Sequence, residues 1–342
     1  MRILLPVSPD QQHANGEIDI ASLHAQDSTG LLDRIDRVVV WDIPLTTPFR
    51  GITRRDGVLL HGPGGWGEVA PFWDYGSEAS APWLASGLSQ ALGNSVLPRY
   101  RETISVNVTV PEVGAEDAAE LVRVSGARTA KVKVSGSGDK RSSDLERLEA
   151  VRSALGRSGR VRIDVNGAWD LDTARENLPL MDRAAGGLEY AEQPCATVYD
   201  LADLRRAVDV PIAADESIRL SANPLEIVHR RAADIAILKV APLGGVHRAL
   251  DMAERLGLPA VVSSALDTSV GIMAGATLAF SLPSLSHACG LGTTRLLTQD
   301  VAEPSVRPNN GTLRLDAAAP VSERLLNEVK AGPYLTRHWQ TR

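Results

Sequence analysis

The chain is short of several things. Two cysteines in 342 residues, Cys195 and Cys289, are too few and too far apart for a disulfide framework or a zinc site. They read as reduced thiols of a cytosolic protein with no catalytic part. No run of about 18 apolar residues occurs, so no membrane span is expected. The N-terminus lacks a basic region followed by an apolar core and a small-residue cleavage site, so no secretory signal is expected either. A net charge of −6 gives no reason to expect nucleic acid or an acidic membrane surface as partner. What remains is an ordinary globular composition, 44% hydrophobic and 23% charged, long enough for a barrel with an appended domain.

Residues 1–34 are the least patterned part and read as an N-terminal extension. From residue 35 to 102 a small α+β domain is expected. Arg37–Trp41, Gly57–Gly62 and Gly65–Ala70 are β-rich with glycine joins, and Ala81–Ala91 reads as a helix, with a second short one possible before Pro98. Residues 103–306 then alternate. Strand patterns fall at Ile104–Val110, Thr129–Val134, Val161–Val165, Leu188–Glu192, Ile212–Asp215, Ile235–Val240, Ala260–Ser263 and, weakly, His287–Gly290. Helical patterns lie between them, including Ser143–Leu155, where Ser143 and Glu146 fit a capping box, and Pro224–Arg231. Eight such repeats imply closure into a (β/α)8 barrel. The stretch 307–342 is too long for a tail and is expected to complete the N-terminal domain.

The strand ends carry the chemistry. Lys131 and Lys133, Asp164, Glu192, Asp215, Lys239, and Ser263 with Ser264 follow one another. The gaps from Lys133 onward are 31, 28, 23, 24 and 24 residues, about one β/α repeat each. Side chains alternate along a strand, so Lys131 and Lys133 face the same way, and inward at the barrel mouth is the tolerable choice. There they repel one another, which lowers the pKa of at least one lysine towards neutrality and makes it a general base. Asp164, Glu192 and Asp215 from consecutive strands would repel unless a cation neutralised them. Oxygen-only ligands suit Mg²⁺. Lys239 lies across the barrel and could supply charge to the opposite face of a substrate. Arg162, two residues before Asp164, shares its inward face and could bind a substrate anion or pair with an acid. Ser263, Ser264 and Gly290 offer hydroxyls and a backbone N–H for a carboxylate, as ordinary turn residues also would. The set suggests proton abstraction next to a carboxylate.

The ordered motifs Lys-x-Lys (131–133), Asp-x-Asn (164–166), Glu-x-Pro (192–194), Asp-Glu-Ser (215–217) and Lys-Val (239–240) resemble the enolase superfamily, in particular its muconate-lactonizing subgroup. The resemblance covers roughly residues 35–320. It implies a modified (β/α)7β barrel, a TIM-barrel variant, under an N-terminal α+β capping domain. It implies Mg²⁺ held by Asp164, Glu192 and Asp215, Lys133 as base, Lys239 as the cation of the opposite face, and Asn166 and Glu216 beside the metal ligands. Within the subgroup, the short chain and cap resemble a dehydratase branch. Its reaction is syn-elimination of water from 2-succinyl-6-hydroxy-2,4-cyclohexadiene-1-carboxylate, in menaquinone biosynthesis. The segment Thr47–Gly51 is then the lid, with Arg50 near the succinyl carboxylate, although an ordinary surface turn would look the same. Racemisation of N-acylamino acids or epimerisation of dipeptides uses the same lysines and remains the alternative. The partner is a small carboxylate in either case, and the oligomeric state stays open.

Overall fold

The computed structural model describes residues 16–93, 96–135, 140–314 and 320–342. Helix α1 (Ile20–Gln26) precedes an antiparallel sheet of β1 (Arg37–Phe49), β2 (Ile52–Gly62) and β3 (Gly65–Val69), on which α2 (Ser77–Leu92) packs. Alternation along β1 feeds two cores. Val38 and Val40 join Trp83, Leu88 and Trp339, while Val39, Trp41 and Ile43 join Leu297, Val301 and Leu326. Both faces are covered there, so Val38–Trp41 reads as an unbroken apolar run. Helix α2 lies against β3 at glycine contacts: a Cβ on Gly67 would sit 1.9 Å from the Gly87 carbonyl oxygen.

Three expectations for this domain change. Residues 16–34 are packed, not an extension. Glu17 bridges Val39, Asp19 caps α1, and Ile18, Leu23 and Leu32 join the cap core. Residues 1–15 lie outside the described residues. Helix α2 begins four residues before the expected Ala81, because Pro82 falls early enough to forfeit only one backbone bond. The described residues between α2 and Pro98 hold no second helix, and residues 94–95 of that expectation fall outside them.

The barrel begins after β4 (Thr103–Ser105), which pairs antiparallel with β12 (Thr312–Arg314), so the strand expected at Ile104–Val110 is split. Its strands are β5 (Val108–Val110), β6 (Thr129–Lys133), β7 (Arg160–Asp164), β8 (Leu188–Glu192), β9 (Ile212–Ala214), β10 (Ile235–Leu238) and β11 (Ala260–Val262). They are hydrogen-bonded in that order, and all pairs are parallel. The eighth strand is reduced to Cys289 and Gly290, which bridge Val106 on one side and Ser263 on the other and close the ring. Helices α3 (Ala115–Ser125), α4 (Arg141–Leu155), α5 (Leu171–Ala184), α6 (Val198–Ala207), α9 (Val246–Leu256) and α10 (Ser269–Ser281) surround it. Single turns α7 (Glu216–Arg219) and α8 (Glu226–His229) occupy the repeat after β9, where Pro224–Arg231 was expected as one helix. Ser143 makes no capping box. It sits inside α4 and its hydroxyl donates to the Lys140 carbonyl.

Outward residues such as Ala130, Val132, Ile163 and Ala191 form the core under the helices. Inward residues Tyr190, Ala213, Ile235, Ile237 and Val261 fill the barrel's middle. Helices α11 (Glu323–Val329) and α12 (Pro333–Thr341) return to the cap, where Trp339 donates to Asp56 at 2.8 Å. Cap and barrel are latched by Glu68 of β3, which accepts from the Thr268 and Gly271 amides at the start of α10, 3.1 and 2.9 Å away. Among the described residues no helix is long and apolar enough to cross a membrane. Both cysteines are buried, and burial pushes each thiol up to about 12, which makes them inert.

Candidate active site

Parallel register sets the site. Lys133 pairs with Asp164 and Asp164 with Glu192, so three functional groups stand side by side at adjacent strand ends. Asp215 follows β9, and Lys239 follows β10. Lys131 Nζ donates to Asp164 Oδ2 and Glu192 Oε1, both at 2.8 Å. Lys133 Nζ donates to the same Asp164 oxygen at 2.6 Å and to Asn166 Oδ1 at 2.5 Å. From the other side, Lys239 Nζ donates to Asp215 Oδ2 at 2.5 Å. Asn166 sits at φ 53°, a left-handed conformation that asparagine tolerates better than most, and its amide donates to Glu216.

The two lysines of β6 diverge. Burial pulls Lys131 down, but Asp164 and Glu192 outweigh it and leave it above the ordinary lysine range. Lys133 is lowered, first by burial and then by the charge of Lys131, against the pull of Asp164. So the lysine at the mouth is the one that loses its proton more readily, and burial does more than the repulsion expected from sequence. Burial and the neighbouring Asp164 push Glu192 up to about 7. Asp164 and Asp215 lie below the usual carboxylate range, because their cationic partners override burial.

Among the described residues no three His, Cys, Asp or Glu side chains are gathered as a finished metal cluster; one oxygen of each acid points at a lysine instead. The trio nonetheless fits a hard divalent cation. All donors are oxygen, Glu192 Oε2 is buried with no partner, and burial first and then Asp164 disfavour the Glu192 anion, which a cation would stabilise.

Above the lysines, Phe49, Arg50 and Phe72 of the cap and Lys133, Lys239, Ser263, Ser264 and Gly290 of the barrel line one cavity, with about 30 Å³ of free space. Arg50 and Gly51 form the two-residue turn between β1 and β2, with φ of 51° and 77°. The Phe49 ring lies over Lys133 Nζ, 5.3 Å from its centroid, and Arg50 stacks on Phe72 at 4.7 Å.

Three expected substrate groups are used otherwise. Arg162 does not reach this cavity. It is fully buried, donating to Glu189 Oε2 at 2.5 Å, to Asn107 Oδ1 at 3.2 Å and to the Ala288 carbonyl at 2.7 Å. Of its two readings, pairing with an acid is the one observed. Gly290 lines the cavity, but its N–H donates to the Val262 carbonyl and is not free for a carboxylate. A Cβ there would meet Ser263 Oγ at 2.5 Å. Ser264 donates to the Gly290 carbonyl and bonds Thr293. Sequence reasoning missed Phe72, Thr109 and Thr293 in the lining, and Arg219 and Tyr75 beneath it. Of these, only Arg219 left a signal, since it lies one helical turn after Asp215.

A capped barrel with a buried row of acids between opposed lysines defines an acid/base enzyme for protons next to carboxylates. Residues 40–91 match an enolase N-terminal domain-like family model, and residues 114–320 an enolase C-terminal domain-like one. An o-succinylbenzoate synthase of Thermobifida fusca is 53% identical over 300 residues, 88% of this chain and 92% of that protein. In structure the chain is similar to muconate lactonizing enzyme from Pseudomonas fluorescens. The TM-score is 0.71 at 22% identity, covering 93% of this chain and 100% of that one. It is equally similar to the N-succinyl Arg/Lys racemase of Bacillus cereus, with TM-score 0.73, 21% identity, and 87% and 98% covered. The chain belongs to the enolase superfamily and, within it, to the o-succinylbenzoate synthase family.

Proposed function

We propose that the protein dehydrates 2-succinyl-6-hydroxy-2,4-cyclohexadiene-1-carboxylate to 2-succinylbenzoate in the menaquinone pathway, with Mg²⁺ as cofactor. The observation that carries this reading is the pair of lysines, Lys133 and Lys239, approaching one carboxylate row from opposite sides, in a chain half identical to a protein of that name.

A Mg²⁺ ion at Asp164, Glu192 and Asp215 would supply the positive charge that makes a proton α to a carboxylate removable. Lys133, as neutral amine, takes the proton from the ring carbon bearing the carboxylate. The electron pair left behind expels the 6-hydroxyl, which departs as water with the proton that Lys133 gives back, and the ring becomes aromatic. One group serves as base and then acid, so both events occur on one face. Lys239, paired with Asp215 on the opposite side, stabilises the developing negative charge as a cation. Lys131, held charged by two carboxylates, keeps Asp164 ionised and offsets part of the rise of Glu192. Phe49 and Phe72 exclude water. The cavity has room for a water or two, so the Phe49–Gly51 turn lifts to admit substrate.

Racemisation or epimerisation would use both lysines as acid and base. Dipeptide epimerisation has less support: an acid on the closing strand to hold a free amino group is lacking in Cys289–Gly292.

The test is loss of the cyclohexadiene carboxylate with Mg²⁺, followed by absorbance, beside Lys133→Ala and a chelator control. Conversion should fall by ~10²–10⁴-fold in the variant and vanish with chelator. No conversion by folded, Mg²⁺-supplied protein would reject the reading and turn the search to α-proton exchange of N-acylamino acids in D₂O.

A further inference from the structure

The reaction as described leaves one buried cation of the site without a task. Arg219 ends the single turn α7, four residues after Asp215, and its side chain is 2% exposed. Its guanidinium fork makes three different contacts. Nε donates to Asp215 Oδ1 at 3.0 Å, Nη2 donates to Glu216 Oε1 at 2.7 Å, and Nη1 donates to the Tyr75 hydroxyl. Tyr75 belongs to the cap, where its ring packs edge-on against Phe72 and Trp83.

Each contact leads onward. The other Asp215 oxygen is held by Lys239, so Arg219 and Lys239 between them fix the plane of that carboxylate. Glu216 Oε1 also accepts from the Asn166 amide at 3.0 Å, and Asn166 Oδ1 faces Lys133 Nζ. One rigid planar cation therefore touches two arms that end at the two lysines and a third that ends in the cap. Lysine could not make three such contacts from fixed positions. Partners of this kind orient ligands and tune their basicity.

We propose that Arg219 is a positioning residue that ties the cap, through Tyr75, to the orientation of Asp215 and, through Glu216 and Asn166, to the orientation of the Lys133 amine. This rests on the dehydratase reading of the site. Docking of the cap and readiness of the catalytic row become one event.

The experiment measures Mg²⁺ binding calorimetrically without substrate, then kcat and KM, for wild type, Arg219→Lys, Glu216→Gln and Tyr75→Phe. Arg219→Lys should weaken Mg²⁺ and lower kcat, each ~10–100-fold, with KM within about threefold. Glu216→Gln should lower kcat while leaving Mg²⁺ affinity within about threefold of wild type, because it removes the charge that joins Arg219 to the Asn166 arm and leaves the Arg219–Asp215 contact in place. Tyr75→Phe should move both quantities in the direction of Arg219→Lys by ~3–10-fold. It keeps the ring and every buried charge, so it reads the coupling even where Arg219→Lys loses stability. Wild-type values in Tyr75→Phe, or a fall in thermal stability alone in Arg219→Lys, would overturn the proposal. A wild type that neither binds Mg²⁺ nor turns over would instead sink the dehydratase reading, and this role with it.

Discussion

Replacing Arg162 by methionine should destabilise the protein severely and leave substrate affinity alone. The guanidinium is wholly buried and satisfies Glu189, Asn107 and the Ala288 carbonyl. Methionine fills much of the volume, so the loss is chiefly electrostatic. Removing one partner of a buried ion pair costs about 3–5 kcal/mol, because the remaining charge is left without compensation. Arg160 and His287 still reach Glu189, at 2.8 and 3.0 Å, which places the loss near the lower end. Unfolding entropy of roughly 2.1 cal/mol/K per residue over 342 residues turns 3–5 kcal/mol into a drop of about 4–7 °C in Tm. Differential scanning calorimetry measures the drop, and initial rates well below Tm measure KM. Adding Glu189→Gln should recover part of the stability, since the stranded charge goes too. A tenfold rise in KM with less than about 1 kcal/mol of destabilisation would refute the argument and put Arg162 on the substrate.

Other outcomes follow from the same geometry. Burial and Asp267 raise Glu68 to about 7, above its unfolded value of 4.5. Between those values the folded state holds the extra proton, so this group makes stability fall as pH rises from about 4.5 to 7 and adds no slope above. Glu68→Gln should remove that slope from Tm measured between pH 5 and 8; identical slopes in both proteins would contradict the assignment. Glu189 behaves oppositely. Burial would raise it, but the His287 hydrogen bond and the Arg162 and Arg160 guanidiniums hold it at about 2. Its contribution is present above about 4.5 and is lost as pH falls towards 2, which acid titration of the Glu189→Gln variant against wild type would show. Arg50→Ala should raise KM ~10-fold with kcat within about threefold, as expected when a charge-assisted contact to substrate is lost equally from ground and transition states. An unchanged KM would leave Arg50 as a turn residue stacked on Phe72.

Much of the site was legible because two periodicities compound. A repeat of 23–31 residues places one strand end per β/α unit, and alternation along each strand selects the inward side chain. That suffices for Lys133, Asp164, Glu192, Asp215 and Lys239. Arg162 shows where the rule stops. Its inward face was readable, yet its partner was not. The ladder pairs Val161 with Leu188 and Arg162 with Tyr190, so Glu189 is the extra residue of a bulge. A bulge re-aims a side chain, and no alternation pattern announces it. The packing of Ile18 into the cap was equally hidden, because one strand bridge and a seven-residue helix leave no long period to detect. Tyr75 and Glu68 belong to a different domain from Arg219 and the start of α10, which they meet, and nothing in local spacing relates the two.

The two lysines of β6 show what position within the site adds to residue type. They are two residues apart, on one strand and one face, and each donates to the same oxygen of Asp164. Lys131 sits a row deeper and also meets Glu192, so two negative charges hold its proton. Lys133 stands at the mouth. Burial lowers it first, Lys131 adds positive charge from below, and beyond Asp164 its other partner is the neutral Asn166 amide. A permanently charged lysine suits a structural counter-ion to the acids. One pushed towards its neutral form suits a base that must first be free of its proton. The neutral Asn166 leaves the effect of burial standing: an aspartate there would hand Lys133 a second hydrogen-bonded negative charge and draw it back towards the state of Lys131.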